Sequence, residues 1–109
     1  MKLPNAERSE VDIRKLTEYC LNTQHPRGRH KARVFASFGI THKDAEELRT
    51  ALLGAATSVE AQPGAATPHG QRYLLDFDLT RLDRVIKIRG TWIVRADEDF
   101  PRLTSCYVL

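Results

Sequence analysis

Cysteine is scarce in this chain: Cys20 and Cys106 are the only two among 109 residues. They form no close metal-ligand pair and each falls in an apolar pattern, so both read as buried thiols in a reducing compartment. Long apolar runs are missing as well. None approaches the ~18 residues that span a bilayer, which excludes a membrane helix. The opening "MKLPNAERSE" has no hydrophobic core segment of a signal peptide. A cytoplasmic protein is the expectation, with no membrane partner, although a toxin domain cut from a longer exported protein carries the same features. A strong excess of one charge is also lacking. The net charge is +3 and the isoelectric point about 9.1, too little for a protein that coats nucleic acid throughout, yet compatible with one local anionic site. The length allows one domain, residues 1–109, with one modest core. There is no internal repeat.

What is present reads as helices first and strands afterwards. In "SEVD", Ser9 is a candidate helix cap with Asp12 three residues on, and Ile13, Leu16 and Cys20 follow at helical spacing up to about Leu21. A turn precedes Pro26. A second helix is predicted from about Gly28, with Ala32, Phe35 and Ala36 buried and Gly39 as its C-terminal cap. A third begins with Thr41 and Asp44 as a capping box, and Ala45, Leu48, Leu52 and Ala55 supply its core face until about Ala56. "TSVEAQPGAATPHG" reads as a linker within the domain. In "QRYLLDFDL", Tyr73, Leu75, Phe77 and Leu79 alternate with Arg72, Asp76 and Asp78, and Leu74 interrupts the polar side. In "VIKIRGTWIV", Ile86, Ile88, Trp92 and Val94 share one face and Lys87, Arg89 and Thr91 the other. The short link "TRLDR" implies an antiparallel hairpin, and "RLTSCYVL" supplies a last strand. Helices over about 9–56 and strands over about 71–108 predict an α+β fold. The helices should pack on one face of an antiparallel sheet of three to five strands, with the Lys87/Arg89/Thr91 face wet.

The segment "HPRGRHKARVF", residues 25–35, concentrates charge: two histidines and four Lys or Arg residues. On a helix Arg27 stacks with Lys31 and Arg29 with Arg33, which costs a few tenths of a kcal/mol per like-charged pair unless an anion is bound. A phosphate would also meet free N–H groups of the first turn near Gly28 and Arg29. His25 and His30 add acid–base capacity near neutral pH. They are five residues apart rather than the four of a zinc helix, with no carboxylate nearby, so no metal site is expected. In "RGTWIV", the Thr91 hydroxyl beside Lys87 and Arg89 suits phosphate oxygens. Alternation puts Trp92 in the core, whereas a bulge at Gly90 would bring its ring to the surface to stack on a base. Arg72, Ser105 and Tyr107 are further candidates for a phosphate site.

"YCLNTQHPRGRHKARVF" and "FPRLTSCYVL" resemble a bacterial family of unknown function whose members stand alone or end phage and polymorphic toxins. A more remote resemblance follows from the order of basic-histidine helix, "FGI", amphipathic helix, strands and "GTW". It is similar to the nuclease domain of colicin D, of the barnase/EndoU/colicin/RelE-like toxin fold, whose members cleave RNA without metal. In that domain a Lys/His cluster precedes "FGI" and a late strand carries Ser-Gly-Trp. His30 and Lys31 stand at the cluster position and Thr91 and Trp92 at the late-strand position, although this chain reads Gly-Thr-Trp.

The combined expectation is a metal-independent endoribonuclease toxin with no cofactor, cutting RNA, with tRNA a candidate, through attack by the RNA 2′-hydroxyl. His30 would be the base or acid with His25 as its partner. Lys31 and Arg89 would stabilise the phosphate and Thr91 would hydrogen-bond it. Arg27, Arg29, Lys87, Arg72 and Trp92 would bind substrate. A small acidic antitoxin or immunity protein would cover the site. The competing expectation is a non-catalytic RNA- or protein-binding module, such as the antitoxin of a pair.

Overall fold

The computed structural model describes all 109 residues. A 3₁₀ turn at Ala6–Arg8 leads into α1 (Ile13–Lys15), which runs on as a π-helical turn over Leu16–Cys20. Then come α2 (Arg29–Ser37), a 3₁₀ turn at His42–Asp44 and α3 (Ala45–Ser58). The strands β1 (Gln62–Thr67), β2 (Gly70–Arg81), β3 (Arg84–Arg95) and β4 (Pro101–Val108) complete the chain. They form one open antiparallel sheet in the order β1-β2-β3-β4. The fold is α+β.

Local chemistry accounts for the helix ends. Asp12, not Ser9, caps α1, its carboxylate accepting from the Arg14 N–H at 3.0 Å. Ser9 lies before the helix, where an isolated bridge beside it pairs Glu10 with Arg102. Thr41 and Asp44 form the expected capping box. Gly39 ends α2 with φ 79°, left-handed backbone that favours glycine. Ala32 and Phe35 are buried, but Ala36, 100° round the helix from Phe35, is exposed on its flank.

The core lies between the helices and one sheet face. Leu16, Phe35, Ile40, Leu48 and Leu52 from the helical half meet Leu75, Ile86, Ile88 and Trp92 from the strands. Cys20 and Cys106 are both buried, and the interaction between the two thiols pushes Cys20 down and Cys106 up from the ordinary thiol range. The linker expected at 57–70 contains β1, an exposed edge strand whose mixed polar and small residues carry no alternation.

Trp92 belongs to the core. Its ring is 1% exposed, which corrects the expectation of a substrate-binding indole. The sheet does bulge here, but the extra residue, Thr104, is on β4, between the pairs Thr91–Ser105 and Trp92–Leu103. The alternation of β3 is therefore undisturbed, and Trp92 stays on the helix side. Gly90 makes room for it: a Cβ at Gly90 would come within 3.0 Å of the Trp92 indole nitrogen. The Gly-Thr-Trp sequence is thus, on this side of the sheet, a packing device.

Candidate functional site

The sheet face turned away from the helices carries the polar residues of three strands. The tight turn Leu82–Asp83 fixes the β2–β3 register from Arg81–Arg84 outward, and that register sets Asp78 opposite Lys87, Asp76 opposite Arg89 and Leu74 opposite Thr91. On the other side of β3, Arg89 pairs with Tyr107 and Thr91 with Ser105. One row of the face thus reads Asp76, Arg89, Tyr107, and the next reads Leu74, Thr91, Ser105.

Helix α2 reaches this face at the edge of β4. The Lys31 ammonium lies 4.4 Å from the centroid of the Tyr107 ring, a cation–π distance. Lys31, Tyr107, Arg89 and Asp76 therefore form one continuous line from helix to sheet. Arg89 meets Asp76 through two bonds, Nε to Oδ1 at 2.7 Å and Nη2 to Oδ2 at 2.9 Å. That contact is the main reason the Arg89 pKa is raised, with the Tyr107 hydroxyl the next contributor. The same bond holds the Asp76 carboxyl below the usual carboxylate range. Two of the five guanidinium donors are occupied by Asp76.

The hydroxyls of the bulge form a second cluster. Thr91 Oγ1 and Thr104 Oγ1 are 2.6 Å apart, Thr104 Oγ1 donates to the Thr91 carbonyl at 3.0 Å, and Thr91 Oγ1 reaches the Ser105 carbonyl at 3.3 Å. Ser105 Oγ is buried without a partner. Lys87 is paired with Asp78 at 3.1 Å. Arg72 is exposed on the same face.

The histidines are elsewhere. His25 Nδ1 accepts from the N–H groups of Arg27 at 3.0 Å and Gly28 at 3.1 Å, and the His25 carbonyl takes the Arg29 N–H at 3.0 Å. Its ring stands edge-on to Tyr19, centroids 4.8 Å apart. His25 thus organises the entry to α2, and the Gly28 and Arg29 N–H groups expected to meet a phosphate are already satisfied. Gly28 is needed for that turn, because a Cβ there would meet the Tyr19 carbonyl at 3.0 Å. Arg29 donates from Nη1 to the Pro26 carbonyl at 2.8 Å. His30 is exposed, and with Ala32 and Phe35 facing the core, a 100° step per residue sets it on the outer side of α2, away from the sheet. Arg27 is exposed in the turn that precedes α2, outside the helix on which it was expected to stack with Lys31.

Of the residues singled out from sequence, the structure joins Lys31, Arg89, Thr91, Lys87 and Arg72 on or at one face. It leaves His25, His30, Arg29 and Trp92 off it. Asp76 and Asp78 were the residues missed. Their signal was the hairpin itself: a two-residue turn at Leu82–Asp83 sets each aspartate opposite a cation. The largest depression, about 460 Å³ between α3 and the outer rim of β2, is lined by Gly54, Ala55, Ser58 and Phe77 together with Asp76 and Asp78, so it adjoins the carboxylate end of this line, and it takes in none of the helix α2 cations.

No helix is long and apolar enough to cross a membrane. No curated protein and no solved structure matches the chain. A family model described as a domain of unknown function, DUF6883, matches residues 2–109, and the chain belongs to that family.

Proposed function

We propose that the protein is a metal-independent endoribonuclease whose site is the line Lys31–Tyr107–Arg89–Asp76. The observation that carries this reading is the Lys31 ammonium over the Tyr107 ring, because it brings a helix cation, a phenol, a guanidinium and a carboxylate to one place. RNA cleavage by its own 2′-hydroxyl needs a proton acceptor, a proton donor and positive charge around phosphorus. Asp76 is the ionised acceptor nearest Arg89, and Tyr107 is the donor. In the step, the 2′-hydroxyl proton passes to Asp76 as the 2′-oxygen bonds phosphorus. The bond from phosphorus to the 5′-oxygen breaks, and the Tyr107 proton goes to that oxygen. Lys31 and Arg89 offset the charge on the non-bridging oxygens. The products are a 2′,3′-cyclic phosphate and a 5′-hydroxyl. The histidines expected as acid and base take no part. Splayed single-stranded RNA, tRNA loops included, suits an open face, and a small acidic antitoxin or immunity protein would cover it.

A second reading is a non-catalytic RNA-binding module. It is favoured by the salt bridges that already engage Arg89 and Lys87 and by the position of both histidines off the face.

The test is incubation of purified protein with total tRNA in EDTA, with product ends identified. Cleavage that survives His30→Ala and is lost in Tyr107→Phe supports the nuclease. Binding of tRNA without cleavage by the wild type supports the module, and undiminished cleavage by Tyr107→Phe overturns the assigned roles.

A further inference from the structure

The pairing of β1 with β2 contains an irregularity with a consequence for the same face. Gln62 and Pro63 pair with Leu74 and Tyr73, whereas Ala66 and Thr67 pair with Gln71 and Gly70. Gly64 and Ala65 therefore both oppose Arg72, a bulge on an edge strand. Beside it lies a depression of about 240 Å³ lined by Gly64, Ala65, Arg72, Leu74 and Thr91, with Tyr73 and Trp92 beneath. By alternation Arg72, Leu74 and Thr91 point to the polar face, and Tyr73 and Trp92, whose side chains point the other way, contribute the backbone floor.

Nothing in the backbone demands glycine at position 64. Its φ is not left-handed, and the nearest atoms to a Cβ there would be those of Arg72, 3.6 Å away or more, ordinary contact. What the missing side chain supplies is open space. Drug-sized ligands occupy roughly 300–1,000 Å³, so this smaller depression suits a single ring system. Its walls are an aliphatic side chain, Leu74, and a guanidinium, Arg72, whose plane can stack on a base. Thr91 is shared with the hydroxyl cluster, and Arg89 is two residues along β3 on the same face, about 7 Å away. That separation matches the step from a phosphate to its own base.

We propose that this depression is a nucleobase subsite that holds one unstacked base of the RNA whose phosphate lies at Arg89, Tyr107 and Lys31. The proposal deepens the nuclease reading and rests on it for the position of the phosphate, but it is tested by binding alone.

The four nucleoside 3′-monophosphates, ribose 5-phosphate and inorganic phosphate are titrated into the purified protein by calorimetry or amide NMR. At least one nucleotide is expected to bind about fivefold or more tighter than ribose 5-phosphate, the contribution of one stacked base. Gly64→Leu, which fills the depression, should erase that difference and leave inorganic phosphate binding unchanged, and Arg72→Ala should erase the difference as well. Tyr107→Phe and Arg89→Ala should weaken all ligands in parallel. Equal binding of nucleotides and ribose 5-phosphate by the wild type overturns the subsite, as does a base preference that persists in both Gly64→Leu and Arg72→Ala. Failure to cleave tRNA, with the base preference present, removes the nuclease reading and leaves the subsite standing.

Discussion

The Lys31 ammonium lies 4.4 Å from the centroid of the Tyr107 ring, and this contact joins the basic helix to the polar face of the sheet. Both partners are accessible, so the interaction contributes about 0.5–1 kcal/mol. Tyr107→Phe keeps the ring and removes the hydroxyl. It is expected to leave the urea midpoint unchanged while lowering tRNA cleavage by about 10²–10⁴-fold, the worth of a general acid. Tyr107→Ala should lower both. A Tyr107→Phe protein with wild-type cleavage rates would show that the phenol is a packing residue.

Gly90 and Trp92 form a pair on the opposite side of β3. Since a Cβ at Gly90 would stand 3.0 Å from the indole nitrogen and 3.4 Å from Leu52 Cδ2, Gly90→Ala must displace the buried ring. Overpacking of this kind costs about 1–3 kcal/mol. Chemical denaturation followed by Trp92 fluorescence gives the number directly, since Trp92 is the only tryptophan. A neutral Gly90→Ala substitution would mean that the indole has an alternative seat.

Leu82 occupies the β2–β3 turn with φ 56° and is 90% exposed. A branched side chain in left-handed backbone costs roughly 1–2 kcal/mol and gains nothing here by burial. Leu82→Gly is expected to raise the melting temperature, the relief of strain exceeding the added entropy of the unfolded chain. A fall in melting temperature would show that the Leu82 side chain contributes contacts that outweigh its backbone cost.

Acid should unfold the protein over a defined range. The Asp12 carboxyl is held at about 2, against an ordinary 3.8, chiefly by its hydrogen bond with Arg14. Asp44 is lowered first by the Thr41 backbone N–H and Asp76 first by Arg89. Each is depressed in the folded state, so its contribution is fully present above the ordinary value and is lost as pH falls through the folded value. Melting temperature is expected to be flat at neutral pH and to fall between about 4 and 2, with a smaller fall for Asp12→Asn. A flat profile across that range would dissociate these bonds from stability.

Much of the fold was legible because it depends on short-range patterns. The Thr41–Asp44 box, the Gly39 cap and the alternation of β2 and β3 each need only a few neighbouring residues. The α1 cap was misread because Ser9 and Asp12 are both good caps, and the choice was made by the N-terminal segment, which pairs Glu10 with β4. β1 left no periodic trace because neither of its faces is buried. At the site, the cations were legible and their partners were not. Charge composition reveals Arg89 and Lys87, but only the hairpin register reveals Asp76 and Asp78 opposite them. His25 looked catalytic because an imidazole between cations is chemically versatile. Its use as a backbone acceptor follows from the turn at Pro26, which no side-chain pattern announces.

β1 pairs with β2 only as far as Leu74, so Leu75–Arg81 has no strand on its outer side. Such an unpaired stretch is a template on which a second chain can add. Asp76 and Asp78 stand on it, and charged side chains on an open edge oppose the addition of another strand. The two carboxylates thus guard the edge as well as pairing with Arg89 and Lys87. Replacing both with asparagine should turn a dispersed solution into one whose light scattering grows with concentration.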